Sequence, residues 1–145
     1  MAMNMVHKYT KTEVWPVVSG VVSGDAVTSV NGEPGVALTS RGDATTSIVI
    51  GPYTISGIPS GGVGLNTAET TVATDGAFHF AVTGASAATP KNTLVYAISA
   101  GAGTDVTSLT LTAGSNLPFG KVDRFIGEYA LQTSVWIGDF STDAT

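Results

Sequence analysis

Ala77-Phe78-His79-Phe80-Ala81-Val82 sets Phe78, Phe80 and Val82 at alternate positions, so an extended backbone carries all three on one face and His79 on the other. A period of two is the mark of a half-buried strand. Downstream, Thr93-Leu94-Val95-Tyr96-Ala97-Ile98 is apolar at both parities, as befits a central strand covered on both sides. These two segments are expected to anchor a β core.

Outward from them, Val106 to Thr112 alternates Leu109 and Leu111 against Ser108, Thr110 and Thr112, and Ser134 to Gly138 reads as a closing strand. Between these, Val122, Phe125, Ile126 and Tyr129 fall at i, i+3, i+4 and i+7, but Gly127 weakens the helix that spacing suggests over Val122 to Leu131. Toward the N-terminus, Gly51 to Asp75 carries Pro52, Gly57, Pro59, Gly61, Gly62 and Gly64, which reads as a long irregular excursion. Before it, Pro34 to Thr39 and Thr46 to Ile50 read as strands at the start of the core, split by a polar loop at Ser40 to Ala44. Asn31-Gly32 is a hairpin signal, and Gly24-Asp25 a turn. Pro16 restricts Val14 to Val18 to an edge position or a loop approach. Met1 to Glu13 has no clear period and is expected to be an extended N-terminal arm. About nine or ten short strands predict an all-β fold, a small β-barrel-like or β-sandwich domain over residues 14–145.

Composition agrees. The 145 residues include 18 Gly, and Ser and Thr together number 34, while charged residues are only 12% against roughly 25% in a typical domain. Strand and turn formers dominate, and the strong helix formers Glu, Lys, Gln and Arg are scarce. Few charges leave a surface of hydroxyls and small apolar groups suited to close protein packing. The net charge of −5 and the scattered Lys8, Lys11, Arg41, Lys91, Lys121 and Arg124 argue against nucleic acid as a partner, since phosphate neutralisation needs a clustered basic face. No anionic-membrane patch is visible. The absence of cysteine excludes a disulfide framework and any Cys-based zinc site. Met1 to Thr12 lacks a signal peptide's apolar segment, and no window approaches the roughly 18 apolar residues that span a bilayer. A soluble cytosolic product is expected, unless it leaves the cell in a particle.

Catalytic patterns are missing. Gly120-Lys121 is followed by Val122, not by the Ser or Thr a P-loop places on magnesium, and no Gly-x-Ser-x-Gly elbow is present. Neither His7 nor His79 has a partner at metal-ligand spacing. Asp25, Asp75 and Asp105 sit in turn-like contexts where a carboxylate bonds the local backbone. Arg41-Gly42-Asp43 is read as turn chemistry, not as an adhesion motif. No cofactor, metal or enzymatic activity is expected.

Several short segments resemble a phage capsid-cement family, some members of which carry a recombinase-like label. They run in order: Val22-Ser23-Gly24-Asp25-Ala26-Val27, Gly35-Val36-Ala37-Leu38, Phe78 to Val82, Asn92-Thr93-Leu94-Val95-Tyr96, Phe125-Ile126-Gly127 and Val135 to Ile137. The resemblance implies a compact β domain, usually a homotrimer, on the outside of an icosahedral head, tying major capsid subunits together. It brings no catalytic residues, and the P-loop that the recombinase label requires is missing. The chain departs from the pattern in its longer arm, Met1 to Trp15, and in the excursion from Gly51 to Asp75. Those two segments supply the candidate contact residues: His7, Lys8, Tyr9, Lys11 and Trp15 from the first, and Tyr53, Ile55 and Ile58 from the second. The implied partners are the major capsid protein and further copies of the chain. The implied location is the outer capsid surface of the virion, after synthesis in the bacterial host cytoplasm. The alternative is a β-sandwich module binding carbohydrate or a receptor, with Trp15, Trp136, Tyr53 or Tyr96 stacking on sugar rings if they line one open groove.

Overall fold

The computed structural model describes residues 4–99, 106–126 and 132–138. Their backbone is all β. In chain order the strands are β1 (Met5–His7), β2 (Thr12–Pro16), β3 (Ala26–Thr28), β4 (Pro34–Ala37), β5 (Thr45–Ile50), β6 (Tyr53–Pro59), β7 (Glu69–Ala73), β8 (Ala77–Thr83), β9 (Leu94–Ser99), β10 (Val106–Thr110), β11 (Leu117–Ile126) and β12 (Gln132–Ile137).

Strands β8, β10, β9, β11 and β12 are hydrogen-bonded in that order, and β12 pairs back onto β8 to close a five-stranded barrel. Neighbours run antiparallel except β8 and β10, which pair in parallel at Val82 with Leu109 and Thr83 with Thr110. The alternation seen in the sequence sets what points inward: Phe78, Val82, Val95, Ala97, Leu109, Phe119, Val122, Val135 and Ile137 fill the interior, as they must in a barrel this narrow. Phe80 meets Phe119 edge-on, with ring centroids 5.8 Å apart. The register of β11 slips between Pro118 and Gly120 and again between Val122 and Arg124, irregularities that bend one long strand around the barrel wall.

A second sheet, in the order β2-β7-β4-β3, is buried on both faces at β3, β4 and β7, while its edge strand β2 buries only the Trp15 side. Ala26, Val36 and Ala73 join the barrel core, while their chain neighbours Val27, Ala37 and Val72 pack with Trp15, Val17 and Val21 on the other side. Trp15 is only 6% exposed. Its ring lies so close over Gly35 that a β-carbon there would come within 2.8 Å of it.

Four expectations are qualified or corrected. The N-terminal stretch is extended at β1, but it is held to the body: β1 runs antiparallel to β8, and the Asn4 side chain donates to the carbonyls of His79 at 2.9 Å and Gly24 at 3.3 Å. Residues 51–75 are not irregular throughout, because β6 and β7 both fall there. Thr46 to Ile50 does form a strand, but every residue of it is exposed, so it is no part of the core. Val122 to Ile126 belongs to β11, not to a helix; the remainder of that helical spacing, residues 127–131, lies outside the described residues, as do 100–105.

Candidate functional site

Strands β5 and β6 form a two-stranded sheet of their own. Ile50 pairs with Tyr53, leaving Gly51-Pro52 as the connecting loop. Gly51 has φ +57°, the sign a II′-type hairpin loop needs at its first central residue, and Pro52 supplies a fixed negative φ at the second. Farther down, Thr46 pairs with Ile58 and Ile48 with Ile55, so Ser47 faces both Ser56 and Gly57. This is a bulge, with Gly57 at φ +73°.

Cross-strand partners share a face. Ile48 with Ile55, and Ile50 with Tyr53, therefore make one apolar ladder, which Ile58 extends past the bulge, while Val49 and Thr54 lie on the other face. Neither face packs against the body: every residue of the two strands is exposed except Ile58, Tyr53 reaching 72% and Val49 70%. The strands contact each other and scarcely touch any other strand. At the base, the Ser60 amide donates to the Ala44 carbonyl at 2.8 Å and the Gly62 amide to the Ser40 carbonyl at 3.1 Å. From Ala44 to Ala68 no residue is charged, so the hairpin has none of the lysines that usually guard an open strand edge. A two-stranded hairpin is at best marginal in water, and leaving isoleucines wet forfeits about 1.5–3 kcal/mol each.

The other candidate residues lie elsewhere, on β1, on β2 and in the connection between them. His7 and Trp136 flank Ala77 across β8, and their rings stack at 4.7 Å with planes 9° apart, which accounts for the full burial of the outward-pointing Ala77. His7 Nε2 lies 3.5 Å from Asp123 Oδ2, and Lys91 Nζ 3.9 Å from Asp123 Oδ1. Ser134 Oγ donates to the same carboxylate at 3.1 Å. Lys8 and Lys11 are exposed, and Tyr9 is half-buried against the barrel core. Trp15, expected to anchor a contact, is instead a core residue, because β2 turns it under the second sheet. The structure thus joins Tyr53, Ile55 and Ile58 into one surface and does not bring the N-terminal candidates to it. Ile48, Val49 and Ile50 were missed, since an apolar run reads as core; the uncharged stretch around a Gly-Pro pair was the signal available.

The titratable groups explain themselves structurally. Burial would raise the Asp75 carboxyl, but the Thr10 hydroxyl and the backbone amides of Lys11 and Thr10 outweigh it and hold its pKa below the ordinary value. Asp75 thereby ties the β1–β2 connection to the start of the barrel. Burial, and secondarily the Arg124 charge, lowers the His79 pKa. The Arg41 guanidinium is bonded to Asp43 at 2.6 Å and to the Val17 carbonyl at 3.1 Å, which holds the Arg-Gly-Asp turn to its own fold. Among the described residues no group of three or more His, Cys, Asp or Glu could hold a metal. The Ser134 hydroxyl is buried and donates to the Asp123 carboxylate.

Comparison with family models, with curated proteins and with solved structures finds no match to this chain.

Proposed function

We propose that this chain is a non-enzymatic capsid decoration protein of a tailed phage, docking on the outer surface of the head, stabilising junctions between major capsid subunits and acting as a homotrimer. The observation that carries the reading is the β5–β6 hairpin, an uncharged apolar ladder held out from a closed barrel, which fits a surface for another protein. The motif resemblance to the capsid-cement family supplies the kind of partner. Many copies on one shell add avidity, so a modest affinity per contact suffices to brace a head against packaged DNA. A sugar-binding module has less support: Trp15 is buried, one face of Trp136 is taken by His7, and Tyr53 and Tyr96 stand on separate sheets.

The test is to incubate heads assembled without this protein with the purified chain and image them by electron cryo-microscopy. Ordered density on the outer shell, with the hairpin at a subunit junction, is the expected result. Bare heads at saturating protein would overturn the proposal.

A further inference from the structure

We infer that the outer edge of β5 takes an extended segment of the major capsid protein as a third strand, an inference that rests on the docking role proposed for the hairpin and specifies how that docking is made. The two edges of the hairpin differ. The Ser60 amide donates to the Ala44 carbonyl, and hydrogen-bonding direction alternates along an antiparallel strand. The extra residue of the bulge lies in β6, so this alternation runs unbroken through β5: Thr46, Ile48 and Ile50 turn their backbone groups toward β6, while Thr45, Ser47 and Val49 turn theirs away. Among the described residues no backbone hydrogen bond reaches those outward groups. The strand itself, Thr45–Ile50, holds no proline, glycine or charge. The opposite edge, on β6, is broken by the bulge at Ser56 and Gly57 and by Pro59, which has no N–H to give. A free edge elsewhere in the molecule, that of β2, is guarded by Pro16 at its end and by charged Lys11 and Glu13 at its start. β5 has no such guard.

Strand number points the same way. Two strands alone are marginal in water, and three with an apolar face are the fewest that hold independently. A third strand on β5 supplies that number, and its main-chain bonds go to groups that the described part of this chain leaves to solvent. The side chains of the hairpin set what the segment looks like. Residues of an added strand that lie beside Ile48 and Ile50 share the ladder face and are apolar; the alternate ones lie beside Thr45, Ser47 and Val49, on the face that also carries Thr54, and are small or polar. The occupant is therefore an extended run of about five or six residues that alternates apolar with polar, recognised by main-chain bonds for affinity and by side-chain parity for register. One partner then satisfies the hairpin twice, at its edge through the added strand and at its ladder through the apolar surface from which that strand springs.

The test uses heads assembled without this protein and the purified full chain. Val49 and Thr54 face each other across the two strands and turn their N–H groups to opposite edges, so the same substitution at each compares the edges while leaving the bonds between β5 and β6 in place. Val49→Pro removes the donor from the β5 edge, and its affinity for heads should fall roughly tenfold or more. Thr54→Pro does the same to the β6 edge and should bind within about twofold of wild type. Amide exchange at Ile48 and Ile50, which bond across to β6, should stay as slow as in wild type in both variants and so reports an intact hairpin. Wild type supplies a readout that needs no substitution: on docking, exchange at Ser47 and Val49 should slow more than at Thr54, and reconstructions of decorated heads should show capsid main chain about 4.8 Å from β5. Undiminished binding by Val49→Pro, an equal loss in Thr54→Pro, or exchange at Val49 unchanged on docking overturns the inference. So does protection of Ser47 and Val49 that grows with concentration in the free protein, which gives the edge to a second copy of the chain. Heads that carry the hairpin at a subunit junction with no strand beside β5 refute the strand addition alone, whereas heads left bare refute the decoration reading and this inference with it.

Discussion

His79 shows how far a single residue can be read. Its parity puts it on the outer face of β8, and the structure agrees, since Phe78 is wholly inside. What parity does not show is what lies on that face: Asn4 runs alongside, Ser134 is the cross-strand partner, and Nε2 is buried with no hydrogen-bond partner among the described residues. Burial first, and then the Arg124 charge, lowers its pKa. The unfolded chain therefore binds the proton more readily. Stability should be full above about pH 6.5, the ordinary histidine value, and decline as the pH falls from there toward the lower folded value. Urea midpoints measured at about pH 7 and about pH 5 should show this loss in wild type and a smaller one in His79→Gln; equal losses would assign the pH dependence to other groups. The tryptophans mark the limit of such reading. Trp15, next to a proline in an edge-like segment, looked the better surface anchor, yet it is core, while Trp136 in mid-strand lies on the outer wall under His7. Long-range packing decides between them, and no local pattern carries it.

At the scale of elements, β8, β9, β10 and β12 were legible because period two and both-face apolarity are direct consequences of burial. β5 was legible as a strand but not as an exposed one, since an apolar run carries no record of whether its partner is the same domain or another molecule. β6 was hidden by Pro52, Gly57 and Pro59, residues that in the structure build a tight loop, a bulge and a strand end instead of a breakdown of structure. One glycine in β11 has a different task. A β-carbon on Gly120 would lie 1.8 Å from the Trp136 carbonyl oxygen and 3.3 Å from the Ile137 α-carbon, so β11 and β12 can close the wall only with no side chain there. Gly120→Ala should cost about 3 kcal/mol or more, read as a fall in the urea midpoint. A midpoint within error of wild type would mean that the wall has slack at this pair.

Among the described residues the barrel and the second sheet share one core, because Ala26, Val36, Leu38 and Ala73 are buried among barrel residues. The two layers are expected to unfold together. In Trp136→Phe the only tryptophan left is Trp15, under the second sheet, so its emission should report the same denaturant midpoint as far-UV circular dichroism, to which the barrel strands contribute most; separated midpoints would show two independent units. The all-β class followed from composition and strand spacing, but ring closure did not, because pairing of β8 with β12 joins segments more than fifty residues apart in sequence and leaves no local trace.

That closure also sets an order in time. The strand that completes the ring, β12, leaves the ribosome after all the others, and β1, among the first to emerge, has nowhere to pair until β8 follows it. The hairpin needs no distant partner and can form as soon as Pro59 is out. A nascent chain therefore displays an uncharged, apolar strand pair well before it owns a finished core, a window in which aggregation competes with folding. Yield of soluble protein should then depend on translation speed and chaperone supply more than the stability of the finished barrel would suggest.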